Sequence, residues 1–482
     1  MHHLHYLDIT IILVYMAVCI IMGCARMKGI NNIRDYALGG PYISTAMLGA
    51  VLFVTHIGAG STVGDIEQIH SLGLIYAIAV LVSPLIWLTS ARIFANHIDY
   101  FKKAGCISLS DIMELLYGKP GRWVTNVAAQ FMSIFVVAMQ IVAIGYLLHY
   151  FLNVSQFVGA LIGFGTLIVY SFLGGMRAIV FTDAFQGFVL FVGIPAACFA
   201  GYSDVGGYDA LIATLPPSHT TINFTSDNKI LLISFIFWAL IPFSNGAFIQ
   251  RFLMANNAEQ LRQVLKTLVF VTLPFALIIL LIGFIVKIKA PDIDSNTAFF
   301  FLIDNYLPVG VKGLVIVGIL SAIMSTADSW LNTVSVSLAH DVVKKLFPRI
   351  RDKQEVLVAR AALILVAGLA MFVAFYKSGS IMKLQWLASS FWEPVMLIPL
   401  MVGFLKFKTN YKSFIGSVSL GIIFTFIGAY FAALDSHEVF DFATISMATG
   451  IFGSALGLFI THYVQGLHKL NDTSQTYHSI SS

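Results

Sequence analysis

Within the stretch ILSAIMSTADSW, residues 319–330, two adjacent hydroxyls, a carboxylate and a further hydroxyl interrupt a long apolar run. On a helix, Ala322, Ser325, Thr326 and Ser329 fall on one face, at i, i+3, i+4 and i+7. The small Ala322 lets a neighbouring backbone come close, and the hydroxyls of Ser325 and Thr326 point at it. A hard monovalent cation needs several neutral or weakly charged oxygens, and this face offers some of them. Asp328 and Ser329 overlap it, so a second cation or a proton has a place beside the first. Helix packing alone accounts for Ser, Thr and Ala at an interface. It does not account for a carboxylate at depth, which is costly and marks function by default. Asp65, Asp183 and Glu393 raise the same question. Glu393, just before Pro394 in mid-segment, is the hardest to assign to packing.

Such oxygens need partners, and two interrupted segments offer them. Residues 56–64, HIGAGSTVG, carry three glycines within seven positions, each weakening a helix by about 1 kcal/mol relative to Ala. Residues 242–246, PFSNG, begin with a proline that removes a backbone donor and clashes with the preceding turn. Broken backbone is tolerated in a bilayer only where protein buries it or it lines a cavity. Ordinary kinks explain either break singly. Both together, in corresponding places, are the pattern of a transporter's midplane site, where freed carbonyls hold the coupling ion.

The bilayer itself is read from composition. Of 482 residues, 58% are hydrophobic and 11% charged, less than half the share in a soluble domain, about 25%. Mean hydropathy is +0.86. Four scattered cysteines form no CxxC pair and no disulfide framework. Asp8 is the sole charged residue before the first apolar run, unlike the basic start of a cleaved signal.

Segments of about 20 apolar residues number thirteen. Placed on alternate sides of the membrane, 22 of the 28 Lys and Arg fall on one side and 6 on the other. The positive-inside rule then puts the N-terminus outside and the C-terminus in the cytoplasm of a cell (inner or plasma) membrane protein. Topology explains the basic charge, so no nucleic-acid partner is expected, and no obligate protein partner is evident. The expected organisation is a peripheral helix and loop (1–42), a five-helix block (43–200) and an extracytoplasmic loop (201–228). A second, inverted five-helix block (229–406) and two peripheral helices with a tail (407–482) follow.

Four stretches carry a family resemblance: DYALGG at 35–40, GGMRAIVFTDAFQG at 174–187, IQRF at 249–252 and AIMSTADS at 322–329. In their order and spacing the chain resembles the sodium:solute symporter family of sodium-coupled proline, sugar, sialic acid and choline carriers. The resemblance implies an all-α membrane fold of 13 transmembrane helices: a LeuT-like 5+5 inverted-repeat core with one helix before it and two after. It implies a sodium ion held by the carbonyls of Val54, Ile57 and Ala322 and the hydroxyls of Ser325 and Thr326. The second sodium site of some members corresponds to Asp183, Ser325, Asp328 and Ser329; those members have Ser where this chain has Asp328, so a titrating carboxylate is an equal reading.

For the solute, the candidate cavity residues are His56, Ser61, Thr62, Gln140, Trp238, Gln385, Trp386 and Glu393. Where sugar carriers have polar residues this chain has Ser61, Trp238 and Ile241, which argues against a sugar. An aromatic cage for a quaternary amine would use Trp386 but meets His56 where choline carriers have an aromatic. The expected solute is an amino acid or similar osmolyte, then another small carboxylate, then a quaternary amine. The rivals are a proton-coupled carrier using the buried carboxylates and a membrane sensor. A sensor normally needs an appended domain, whereas about 17 residues follow position 465. No nucleophile–base pair, metal-ligand cluster or nucleotide loop suggests an enzyme.

Overall fold

The computed structural model describes residues 4–25, 32–40, 42–222, 225–376, 381–405, 409–435 and 439–478, and all its regular elements are helical. The remaining residues, which include parts of the predicted 1–42, 201–228, 229–406 and 407–482 segments, lie outside the described set. Ten described helices are long and apolar enough to cross a membrane, or eleven when the bent pair Thr45–His56 and Gly60–Leu72 is taken as one span.

Thirteen separate segments were expected, and two local features account for the difference. The segments expected near 155–173 and 178–200 are two helices joined directly across a kink at Gly175 (φ 52°, ψ −155°), so they count together as the single stretch Gln156–Val205. The segment expected near 229–250 is divided into Ser226–Leu240 and Gly246–Met254. Neither half is long enough to span by itself.

The described residues cluster into two compact units, Met1–Ser108 with Ser133–Gln385, and Leu109–Met132 with Trp386–Ser482. The first is built around Val311–Val336, a helix buried along nearly its whole length. Glycines let a second helix lie directly on it. A Cβ on Gly193 would meet Leu314 O at 2.6 Å, and one on Gly318 would meet Gly193 Cα at 3.2 Å. Small residues at such a crossing allow backbone-to-backbone approach, and this one draws Gln156–Val205, with Asp183, against the Ser325–Ser329 face.

Two more elements fix that central helix. Its N-terminus starts after Gly310 with no cap of its own. Asp8, from Tyr6–Ala25, supplies one: Oδ1 accepts from Gly310 N at 2.7 Å and Gly313 N at 2.8 Å. The broken helix Thr45–His56 begins on Ser44, whose Oγ accepts from Met47 N at 3.2 Å. It ends at Ile57, and the chain turns by 61° before continuing from Gly60. In the second break, Asn245 Oδ1 accepts from Phe248 N at 3.2 Å and starts the Gly246–Met254 helix.

The second unit holds Tyr411–Asp435 and Val439–His478 beside Ile381–Phe404 from Trp386 onward. Within it, Tyr117 OH donates to Pro399 O at 2.7 Å, and buried Arg122 pairs with Asp111 and Glu114.

Candidate ion and solute site

At the first break the helix stops donating to its own carbonyls, and the Ser325–Thr326 face meets the released oxygens. Ser325 Oγ lies 3.2 Å from Val54 O and 3.1 Å from Ala322 O. Thr326 Oγ1 lies 3.3 Å from both Val54 O and Thr55 O. Ile57 closes the half-helix at φ −88°, ψ 83°, which turns its carbonyl off the helix axis. A hard cation of calcium-like size holds oxygens at about 2.3–2.6 Å, so ligands 90° apart lie roughly 3.3–3.7 Å from one another. The observed separations, 3.1–3.3 Å, lie at or just below the short end of that range, and a slight expansion accommodates such an ion. Gly58 makes the approach possible: a Cβ there would lie 2.6 Å from Thr326 Oγ1.

Beside this lies a wholly buried charged group. Asp328 accepts from Tyr170 OH at 2.7 Å and from Ser329 Oγ at 3.4 Å. Ser329 Oγ is 3.2 Å from Thr55 Oγ1 and accepts from the Arg251 guanidinium, which also donates to Ala247 O at 3.0 Å. Neither oxygen of the buried Asp183 has a hydrogen-bond partner among the described residues. Asp328 and Ser329 are therefore in contact, and the Arg251 guanidinium reaches Ser329.

The expected solute residues separate into distinct places. His56 ends the first half-helix within an aromatic group: its ring centroid lies 5.3 Å from Trp87, 5.4 Å from Phe243 and 6.4 Å from Phe248. Its imidazole thus touches residues of the second break. Ser61 and Thr62 donate back to His56 O at 2.8 Å and Gly58 O at 2.7 Å, which stiffens the turn. Gln140 is buried and its Oε1 accepts from Ala59 N at 3.0 Å. Trp238 is half-buried in Ser226–Leu240, and Gln385 half-buried at the end of the first unit. Trp386 and Glu393 are buried in the second unit.

Against that geometry, a profile of the sodium:solute symporter family matches residues 36–419. The chain belongs to this family. The symporter is 26% identical over 419 residues to the high-affinity proline transporter PutP of Bacillus subtilis (strain 168), covering 83% of this chain and 87% of that protein. It is 23% identical over 468 residues to the sodium/glucose cotransporter of Vibrio parahaemolyticus, covering 88% and 85%. The fold is like that of a Na+-coupled sialic acid symporter solved in a substrate-bound outward-open state: TM-score 0.79 at 17% identity, covering 95% and 98% of the two chains. The symporter is therefore a multi-pass membrane transporter of the sodium-coupled solute class and not an enzyme, and sodium is its cargo rather than a resident cofactor.

Three residues of the candidate site were not singled out from the sequence. Arg251, within GAFIQRFLM, carried a signal: a lone guanidinium in an apolar run at membrane depth. Tyr170 and Thr55 carried none, because a Tyr or Thr in a membrane helix is ordinary.

Proposed function

We propose that the symporter imports a small organic solute together with one sodium ion by alternating access, and that Val54, Ile57, Ala322, Ser325 and Thr326 hold the ion. The observation that carries this is the meeting of Val54 O with both hydroxyls, 3.2 and 3.3 Å away, across the break. Sodium there ties the broken helix to Val311–Val336 and favours the outward-open state. The solute binds between the two breaks, near His56 and Gln140. The bundle then rocks, and both leave to the cytoplasm. An inside-negative potential of 100 mV contributes about 2.3 kcal/mol per charge.

One sodium is favoured over two because Arg251 already brings a positive charge to Ser329, in the place of the second constellation. Counting Gly175 as a span boundary and each broken pair as one span brings the helices to thirteen, arranged as the inverted repeats 43–200 and 229–406. The N-terminus is then outside and the C-terminus cytoplasmic. An amino acid or similar small carboxylate is the favoured solute.

The test needs no knowledge of the solute. Thermal unfolding of the purified protein is followed in sodium and in equal potassium, for the parent and for Ser325→Ala/Thr326→Ala. A ligand that binds only the folded state stabilises it by RT ln(1 + [L]/Kd). A sodium-specific rise that vanishes in the double variant supports the site; no sodium effect in the parent rejects it. The unpartnered Asp183 carboxylate favours the proton as the rival coupling ion, and uptake driven by a pH gradient without sodium would identify that rival.

A further inference from the structure

The second unit carries a recess that the ion site does not use. It holds about 350 Å3, and every residue that lines it is apolar. Trp123 and Val127 come from the helix after the Gly118 interruption, Phe391 and Val395 from Ile381–Phe404, and Val418 and Ile422 from Tyr411–Asp435. Val395 and Val418 are buried and close the floor, whereas Trp123 and Val127 stand at the rim, 38% and 68% exposed. Phe131 packs on Phe391 with ring centroids 4.7 Å apart and fixes that ring in the wall. Protein interiors are close-packed, so an open recess of this size is filled from outside. Water would find no polar partner in it. The filler is hydrocarbon.

Depth along the helices shows how such a chain would lie. At about 1.5 Å per residue, Trp123 and Val127 lie roughly 6 and 12 Å beyond Lys119. By the same rise, Val418 and Ile422 lie roughly 10 and 16 Å beyond Tyr411, and Val395 and Phe391 roughly 14 and 20 Å back from Phe404. The groove thus runs from the helix ends through about one leaflet, half of a hydrocarbon core about 30 Å thick. Trp123 and Tyr411 are both exposed near its mouth, where interfacial aromatics gather.

The mouth also carries charge. The Tyr117 and Phe414 rings stack with centroids 4.8 Å apart, and Thr409 Oγ1 donates to Tyr117 OH at 3.3 Å. Those contacts make neighbours of the two helix starts that bear Lys119 and Lys412, both exposed. Lys119 precedes Trp123 by one turn, and Lys412 follows Tyr411 directly. Arg122 is engaged by Asp111 and Glu114, which leaves the two lysines to meet a headgroup. A phosphate with net negative charge suits paired ammonium groups. A choline headgroup adds a cation that they repel.

We propose that this groove holds an acyl chain of an anionic phospholipid of the cytoplasmic leaflet, with the headgroup phosphate at Lys119 and Lys412. Only the choice of leaflet rests on the topology proposed above.

Native mass spectrometry of the delipidated full chain tests this, with phosphatidylglycerol and phosphatidylcholine of identical acyl chains as probes. The titrations are run in potassium, so a failure of the sodium reading would leave the result unaffected. Phosphatidylglycerol is expected to bind the parent more tightly than phosphatidylcholine. Lys119→Gln/Lys412→Gln should weaken phosphatidylglycerol by about tenfold or more and leave phosphatidylcholine unchanged. Lys266→Gln/Lys353→Gln removes the same charge from exposed positions elsewhere and should leave both lipids as in the parent. Val127→Trp sets an indole at the rim and should weaken both lipids. Equal affinity of the parent for the two lipids overturns the proposal. So does a loss in the Lys266/Lys353 variant as large as that in the Lys119/Lys412 variant, which would mark a general charge effect. Parent-like binding of both lipids by Val127→Trp would place the lipid elsewhere and overturn it as well.

Discussion

Replacing Gly58 by alanine tests the contact on which the proposed ion site depends. The new Cβ would lie 2.6 Å from Thr326 Oγ1 and 3.0 Å from its Cβ and Cγ2, where ordinary contact begins at 3.4 Å. In a close-packed interior the break and the Val311–Val336 helix must then separate by roughly 0.4–0.8 Å. Overpacking of this kind costs about 1–3 kcal/mol. The same displacement moves Thr326 Oγ1 out of a shell about 2.3–2.6 Å in radius, and losing that oxygen is expected to weaken sodium at least tenfold. With sodium at ten times the parent's Kd, its stabilisation then falls from about 1.4 to about 0.4 kcal/mol. Thermal unfolding in sodium and in potassium reads both effects: a lower midpoint in potassium and a smaller sodium increment. Adding Thr326→Ala deletes Oγ1 and Cγ2, so Gly58→Ala/Thr326→Ala should regain stability in potassium while the sodium increment stays small. Coupling between touching residues of about 0.5–3 kcal/mol is the expected size of that recovery. A Gly58→Ala protein with an undiminished sodium increment would refute the reasoning.

Three further outcomes follow from buried groups. Arg251→Met removes the buried guanidinium that donates to Ser329 Oγ and Ala247 O and should cost about 1.5–3 kcal/mol; a variant as stable as the parent in potassium would show that these bonds do not hold the cluster together. Asp8→Ala removes the carboxylate that accepts from Gly310 N and Gly313 N and should destabilise by about 1.5–3 kcal/mol, measured as a lower unfolding midpoint; Asp8→Asn, which keeps an accepting oxygen, should cost less. In the loop between Val205 and Ser226, His219 Nε2 donates to Ile69 O at 3.0 Å and His70 O at 3.2 Å. Burial, with smaller effects of the Lys287 and His70 charges, holds its pKa below the usual 6.5 despite those bonds. The unfolded loop then binds more protons between the lowered pKa and 6.5, so its docking is complete above about 6.5 and weakens as pH falls through that window. Hydrogen exchange of the amides of residues 218–221, corrected for intrinsic rates, should rise on acidification in the parent and lose that dependence in His219→Gln. Equal pH profiles for the two would reject the assignment.

Much of the architecture could be read from local pattern. Apolar runs of spanning length, and three glycines in 58–64 or a proline at 242, are facts about neighbours in sequence, and lipid acts on them segment by segment. The same holds for the gap between the spans expected near 155–173 and 178–200, where Gly175 is the non-helical residue at which two helices meet across a kink.

The kinds of oxygen that gather near the break were likewise present in 319–330: alternating hydroxyls at helical spacing determine that one face can offer them. The sequence by itself thus determined a many-spanning helical chain, where its backbone breaks and which face of one helix is polar. Which groups meet there was decided only in three dimensions. Asp8 caps a helix start some 300 residues away, Arg251 reaches Ser329, and Gln140 Oε1 accepts from Ala59 N. The physical reason is that hydropathy and periodicity specify what each helix turns toward its neighbours. The identity of those neighbours is set by packing, by where glycines such as Gly58, Gly193 and Gly318 let backbones touch.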